Sequence, residues 1–356
     1  MTGASNCYVN DLPPDIDQDA IDEYEQTKAQ ERRSKARHVH EADFAAGAGS
    51  SADKEPEPVL VSGISMMKTL LNKLRNREGD VLYKLGPALD GFEIGPSLIA
   101  GLIAPPNGGK TALAGQVAFE TLEHNPDIPV VIANAETGFE ALLKRELTGR
   151  TNVPSKALRL ANLTDAQIAE IESAAADIES LAADRLHVLP ISHCKTDGLK
   201  RIQGEVKPGL LVVDYLQKFA DRGKDLRIAI NDVVDQLRVM ASEGWAILAL
   251  SATTRVSGSG GSSHDSSKLT LASFKESGEI EFNLDSAYIL RDQGDVDGDK
   301  AVRRVLLDCV KNRHDEKPEK KLTFNMRRMR FEAVEPEPFA EFDAWGQAVE
   351  NPTEWN

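Results

Sequence analysis

The stretch Leu102-Ile-Ala-Pro-Pro-Asn-Gly-Gly-Lys-Thr-Ala-Leu-Ala114 decides how the rest of the chain is read. It fits the phosphate-loop pattern G-x-x-x-x-G-K-S/T at every position but the first, where Ala104 replaces glycine. Such a loop works when a strand feeds it and a helix leaves it. Here the apolar run Pro96–Ala104 reads as the strand and Ala112–Leu122 as the helix. Backbone N–H groups from Ala104, Asn107, Gly108, Gly109 and Ala112 are then expected to converge on phosphate oxygens at the helix N-terminus. Lys110 is placed to reach the terminal phosphates, and the Thr111 hydroxyl to ligate Mg²⁺. Only a positive φ demands glycine, so Ala104 is tolerable where φ is negative. The plain alternative, a Gly/Pro turn ahead of an ordinary helix, leaves the Gly-Lys-Thr triplet unexplained.

The charge of the chain is uneven. Its 356 residues carry a net charge of −15. Residues 1–58 hold 13 acidic and 6 basic side chains, and residues 332–356 hold 7 acidic and none basic. The body between them is therefore nearly neutral, which permits a local basic track for nucleic acid without requiring one. The three cysteines, Cys7, Cys194 and Cys309, are too far apart for a zinc pattern and read as free thiols in a reducing, cytoplasmic setting. No apolar run approaches the ~20 residues of a membrane span.

Along the chain, residues 1–58 read as a disordered acidic tail, with a transient helix over 19–37, and 336–356 as a second acidic tail. Residues 59–85 read as a linker helix and connector: Met67, Leu70, Leu71 and Leu74 share one face of a helix over 64–75. That face packs either on its own domain or on a neighbouring subunit. Over 86–335 apolar strands alternate with helices: strands at 130–135, 186–191, 210–214 and 245–251, helices at 139–147, 164–183 and 226–241. The alternation predicts an α/β fold, a mainly parallel sheet with helices on both faces. Strands at 302–310 and 321–325 predict an antiparallel C-terminal extension. The Gly/Ser run 257–267 reads as an exposed loop.

Several short segments point to one family. Leu211-Val-Val-Asp-Tyr-Leu-Gln217 is an apolar strand ending in Asp214, an acid placed beside the phosphate loop. Glu136 follows directly on the strand ending at Ala135. Ala249-Leu-Ser-Ala-Thr-Thr-Arg255, Phe274-Lys-Glu-Ser-Gly278, Lys311-Asn-Arg313 and Leu322-Thr-Phe-Asn325 follow in order. Together they resemble the hexameric replicative helicases of the DnaB type, within the RecA-like ATPases, over residues 60–331.

The resemblance implies an ATP hydrolase that moves along single-stranded DNA in replication, with ATP and Mg²⁺ as cofactors and a homohexameric ring as the assembly. It implies that Asp214 joins Thr111 in holding the metal and that Glu136 activates the attacking water. It further implies that Lys311 and Arg313 act on the neighbouring subunit's nucleotide. Lys275, Glu276 and Gly278 would contact DNA, and Gln217, Thr253, Thr254 and Arg255 would couple the nucleotide to that contact. Each has a plainer reading too: Asp214 or Glu136 as a helix cap, Lys311 and Arg313 as a solvated basic turn.

Two departures stand out. An acidic segment stands where the family carries a helical N-terminal domain, and Ala252 replaces the glutamine usual in the sensor strand. These departures favour one alternative, a non-translocating nucleotide switch that binds partners through its tails; a second, a RadA-like recombination or repair ATPase, shares the fold and a Lys-Asn-Arg motif like 311–313. Aromatic residues spaced through the acidic C-terminus suit docking on a replication partner; the segment reads equally as a cover over the chain's own DNA channel or as a solubilising tail.

Overall fold

The computed structural model describes residues 62–221, 223–252, 269–274 and 278–334. The two acidic tails, the Gly/Ser run and the transient helix over 19–37 lie outside the described residues. The chain divides into two units after Glu78. The first contains helix α1 (Gly63–Arg75), capped by the Ser62 hydroxyl, which accepts from the Ser65 N–H. No residue of α1 is buried, and Met67, Leu70, Leu71 and Leu74 all stand exposed.

In the second unit the order is β1 (Ile99–Ile103), α2 (Lys110–His124), β2 (Val130–Asn134), α3 (Phe139–Arg150), α4 (Ser155–Leu160), α5 (Asp165–Ala182), β3 (Leu186–Leu189) and α6 (Thr196–Glu205). Then come β4 (Leu210–Asp214), α7 (Leu226–Ser242), β5 (Ala246–Leu250), α8 (Gly278–Asn283), β6 (Ser286–Val296), β7 (Asp299–Asn312), β8 (Glu319–Asn325) and β9 (Arg330–Ala333). All described strands join one sheet in the order β3-β2-β4-β5-β1-β6-β7-β8-β9. Pairing is parallel from β3 to β6 and antiparallel from β6 to β9. The fold is thus the α/β architecture with an antiparallel extension. Two strands were not legible beforehand: β6, which pairs parallel with β1, and the short β9.

Strands β1, β2, β4 and β5 are buried at every position, as a sheet covered on both faces requires. Side chains alternate between the faces. Ala100, Leu102, Ile132, Val212 and Leu248 pack with Leu113, Val117 and Phe119 of α2 and with Phe324 and Phe331. Ile99, Ile103, Val131, Val213 and Ile247 face Leu199 and Ile202 of α6 and Val233 and Leu237 of α7. Each large side chain so buried contributes about 1.5–3 kcal/mol. Helix α5 starts on a capping box, Thr164 with Gln167.

The Arg185 guanidinium donates to the carbonyls of Leu122, Asn125 and Ile128, closing the end of α2. Because α2 is fixed at its far end and along its buried face, its N-terminus is held at the carboxyl ends of β1 and β4. In open α/β sheets this is where ligands bind.

Candidate functional site

The loop between β1 and α2 places its left-handed backbone at Asn107 (φ 62°) and Gly109 (φ 86°), while Ala104 is not among the positive-φ residues. The missing glycine therefore costs the loop nothing in conformation. Gly109 is constrained twice, since a Cβ there would also stand 2.7 Å from the Phe331 ring and 3.0 Å from the Phe324 ring. Those two rings stack at 4.3 Å and support the loop from below. The Gly108 N–H donates to the Pro105 carbonyl at 2.9 Å, tightening the turn. Helix α2 begins at Lys110 with no side-chain cap, so its first-turn N–H groups point toward the loop's mouth.

Around the mouth lies a cleft of about 570 Å³, within the range of small-molecule sites. Ala104, Asn107, Gly109, Lys110, Thr111 and Ala112 line one side; Glu136, Arg145, Tyr215 and Ala252 line others. Lys110 Nζ stands 5.3 Å from the centre of the Tyr215 ring. At the base, the Thr111 hydroxyl donates to Asp214 Oδ2 at 2.7 Å. The Asn134 amide donates to the same oxygen at 3.0 Å.

Asp214 Oδ1 is buried with no hydrogen-bond partner among the described residues. Leaving a buried carboxylate oxygen unmatched costs on the order of 1–3 kcal/mol or more. Burial pushes the Asp214 carboxyl up; the Thr111 hydrogen bond and the Lys110 charge pull it down, while Glu136 adds to the rise. A hydroxyl whose proton is already donated, beside an unmatched carboxylate oxygen, is a donor set suited to a hard cation such as Mg²⁺.

The other expected residues separate into three groups. Gln217 lies next to the sensor region: its amide donates to the Ser251 hydroxyl at 2.8 Å and accepts from the Ala252 N–H at 3.1 Å. It thereby ties the turn after β4 to the end of β5. Thr253, Thr254 and Arg255 lie outside the described residues, as do Lys275 and Glu276. Gly278 is the first residue of α8. Phe274 and Ile280, on either side of that segment, are buried in the same core cluster. Gly101 of β1 makes room there, because a Cβ would stand 2.8 Å from the Phe274 ring.

Lys311 and Arg313 do not line the cleft of their own chain. Lys311 Nζ donates to the Glu281 carbonyl at 2.5 Å, near the C-terminus of α8. Arg313 donates to Asp285 Oδ1 at 3.1 Å and to the Phe282 carbonyl. Burial and the Arg313 charge push the Lys311 ammonium down.

Sequence reasoning missed three residues. Arg145 on α3 lines the cleft and stands close enough to lower Asp214; a basic residue on a half-buried helix face was the only signal. Tyr215 carries the ring under Lys110. Asn134 bridges to Asp214 because the two are register partners across β2 and β4, which no sequence spacing reveals.

The fold is RecA-like, with the phosphate-loop motif at the mouth of the cleft. Residues 81–333 match the family model of the DnaB-like helicase C terminal domain, and the chain belongs to that family of replicative helicase-type ATPases. No curated protein matches the chain. Among solved structures, the chain is similar to one described as an ATPase domain: 19% identity, 77% of this chain and 99% of that one covered, TM-score 0.63. A second, described as a DnaB-like replicative helicase and its interactions with primase, has 19% identity, 77% and 69% coverage and a TM-score of 0.62. At that identity the likeness is one of fold. Among the described residues no helix is long and apolar enough to cross a membrane. Cys194 and Cys309 are buried and unbridged.

Proposed function

We propose that the protein is an ATP-driven motor that moves along single-stranded DNA during replication, working in the cytoplasm as a ring of like subunits. The observation that carries this reading is the cleft: an uncapped helix N-terminus, Lys110, and the Thr111–Asp214 pair with its unmatched oxygen meet in one place. The loop N–H groups other than that of Gly108, which the Pro105 carbonyl already takes, join Lys110 on the phosphate oxygens. Thr111 and Asp214 would hold Mg²⁺, which when bound neutralises phosphate charge. Glu136, exposed at the rim, orients the attacking water and accepts its proton.

Lys311 and Arg313 do not line their own cleft, and this supports a role on the neighbouring subunit's nucleotide. A cation supplied there stabilises the charge on the transferring phosphoryl group. The exposed apolar face of α1 suits docking on that neighbour. Lys275, Glu276 and Gly278 would follow the DNA backbone. Gln217, already bonded to the end of β5, would pass the state of the nucleotide to Thr253, Thr254 and Arg255. The acidic tails would meet a replication partner.

A forked duplex tests the reading. ATP-dependent strand displacement is the expected result, and DNA-independent ATP turnover without displacement would favour a nucleotide switch.

A further inference from the structure

The Asn134 side chain has two ends with different partners. Its amide nitrogen donates to Asp214 Oδ2 at 3.0 Å. Its amide oxygen accepts from the Glu136 N–H at 2.9 Å and from the Thr137 N–H at 2.7 Å. The orientation of the amide is forced: turned over, it would set its NH₂ against two N–H donors and its oxygen against a carboxylate. The residue is buried, at 4% exposure; its bond to Asp214 is buried, and those from the Glu136 and Thr137 N–H groups are partly buried. Across the sheet, the Ala135 N–H also donates to the Asp214 carbonyl at 2.7 Å. The main chain that carries Glu136 is therefore bonded to Asp214 through both backbone and side chain.

We propose that Asn134 is a positioning residue that fixes the Glu136 main chain against Asp214, so that the carboxylate at the rim and the Thr111–Asp214 pair at the base keep one spacing. This rests on the ATPase reading above. Asparagine supplies both the donor and the acceptor that the place uses. Aspartate keeps the acceptor, but it loses the donor and sets a second carboxylate against Asp214. Alanine frees the turn that carries Glu136. Serine offers a shorter acceptor and no amide donor. The bridge meets Thr111 only through the shared Asp214 Oδ2 and touches neither Lys110 nor the loop N–H groups, so its loss should weigh on turnover more than on the hold on phosphate.

The test compares full-length wild type, Asn134→Ala and Asn134→Asp by steady-state ATP hydrolysis, by binding of a fluorescent ATP analogue, and by thermal unfolding. Loss of a partner that orients a reacting group costs about 10–100-fold in related settings. The expected result is a kcat lowered by that factor in both variants, with nucleotide affinity kept within about twofold. Asn134→Asp, nearly isosteric, supplies the answer if the alanine variant fails to fold. Turnover in either folded variant equal to wild type would overturn the assignment and leave the ATPase reading standing. So would a loss confined to nucleotide affinity, or one matched by a collapse of the unfolding temperature in both variants. A wild type that turns over no ATP would overturn the ATPase reading itself.

Discussion

Arg313 reaches Asp285 of its own chain, at 3.1 Å, and not its own phosphate cleft. Asp285 is buried and also takes Arg238 at 3.2 Å and the Ile99 N–H at 2.9 Å. The acid therefore anchors Arg313 to the base of β1 and to α7. Arg313→Ala should lower ATP turnover by on the order of 10³-fold, as for other arginines supplied in trans. Mixed with Glu136→Gln subunits, it should regain part of that activity where an intact Glu136 meets an intact Arg313. Absence of recovery at every ratio, with subunit exchange demonstrated, would place both residues in one subunit's site.

Lys110→Ala should abolish hydrolysis and leave the unfolding temperature within a few degrees of wild type. The side chain is partly exposed, and its ring contact with Tyr215 at 5.3 Å is worth only about 0.5–1 kcal/mol. Turnover at the wild-type rate would remove Lys110 from the chemistry.

The loop's two unusual positions predict opposite outcomes. Gly109→Ala meets both a positive φ and the Phe331 ring, so calorimetry should show a loss of roughly 1–3 kcal/mol and weakened nucleotide binding. Ala104→Gly restores the usual loop pattern, yet it should bring no gain in nucleotide affinity. It should cost up to about 1 kcal/mol through chain entropy. A tighter-binding Ala104→Gly variant would show that the alanine constrains the loop.

Deletion of residues 1–76 removes the exposed apolar face of α1. Sedimentation should then report monomers. A persistent ring would assign that helix a role within its own chain.

Much of this was legible from local patterns. A phosphate loop is a contiguous motif, and Asp214 ends a fully apolar strand, so both declare themselves in sequence. The reading failed at β6, Ser286–Val296, because its first half is buried and its second half is an Arg/Asp arm of a hairpin. Neither a continuous apolar run nor an alternation spans it. Asn134 and Arg145 were missed because their places depend on strand register and helix facing, which bring single polar residues to a common point without any spacing signature. Lys311 and Arg313 were picked out by resemblance, but their bonds to α8 and Asp285 belong to the tertiary structure alone.

The most direct test of the motor reading is ATP hydrolysis by the purified full-length chain, measured with and without a single-stranded oligonucleotide at one fixed salt concentration, since such binding is salt-dependent. The account predicts that turnover rises when the oligonucleotide is added, and that Glu136→Gln loses both the basal and the stimulated rate. An identical rate with and without single-stranded DNA, in protein shown to bind it, would contradict the account.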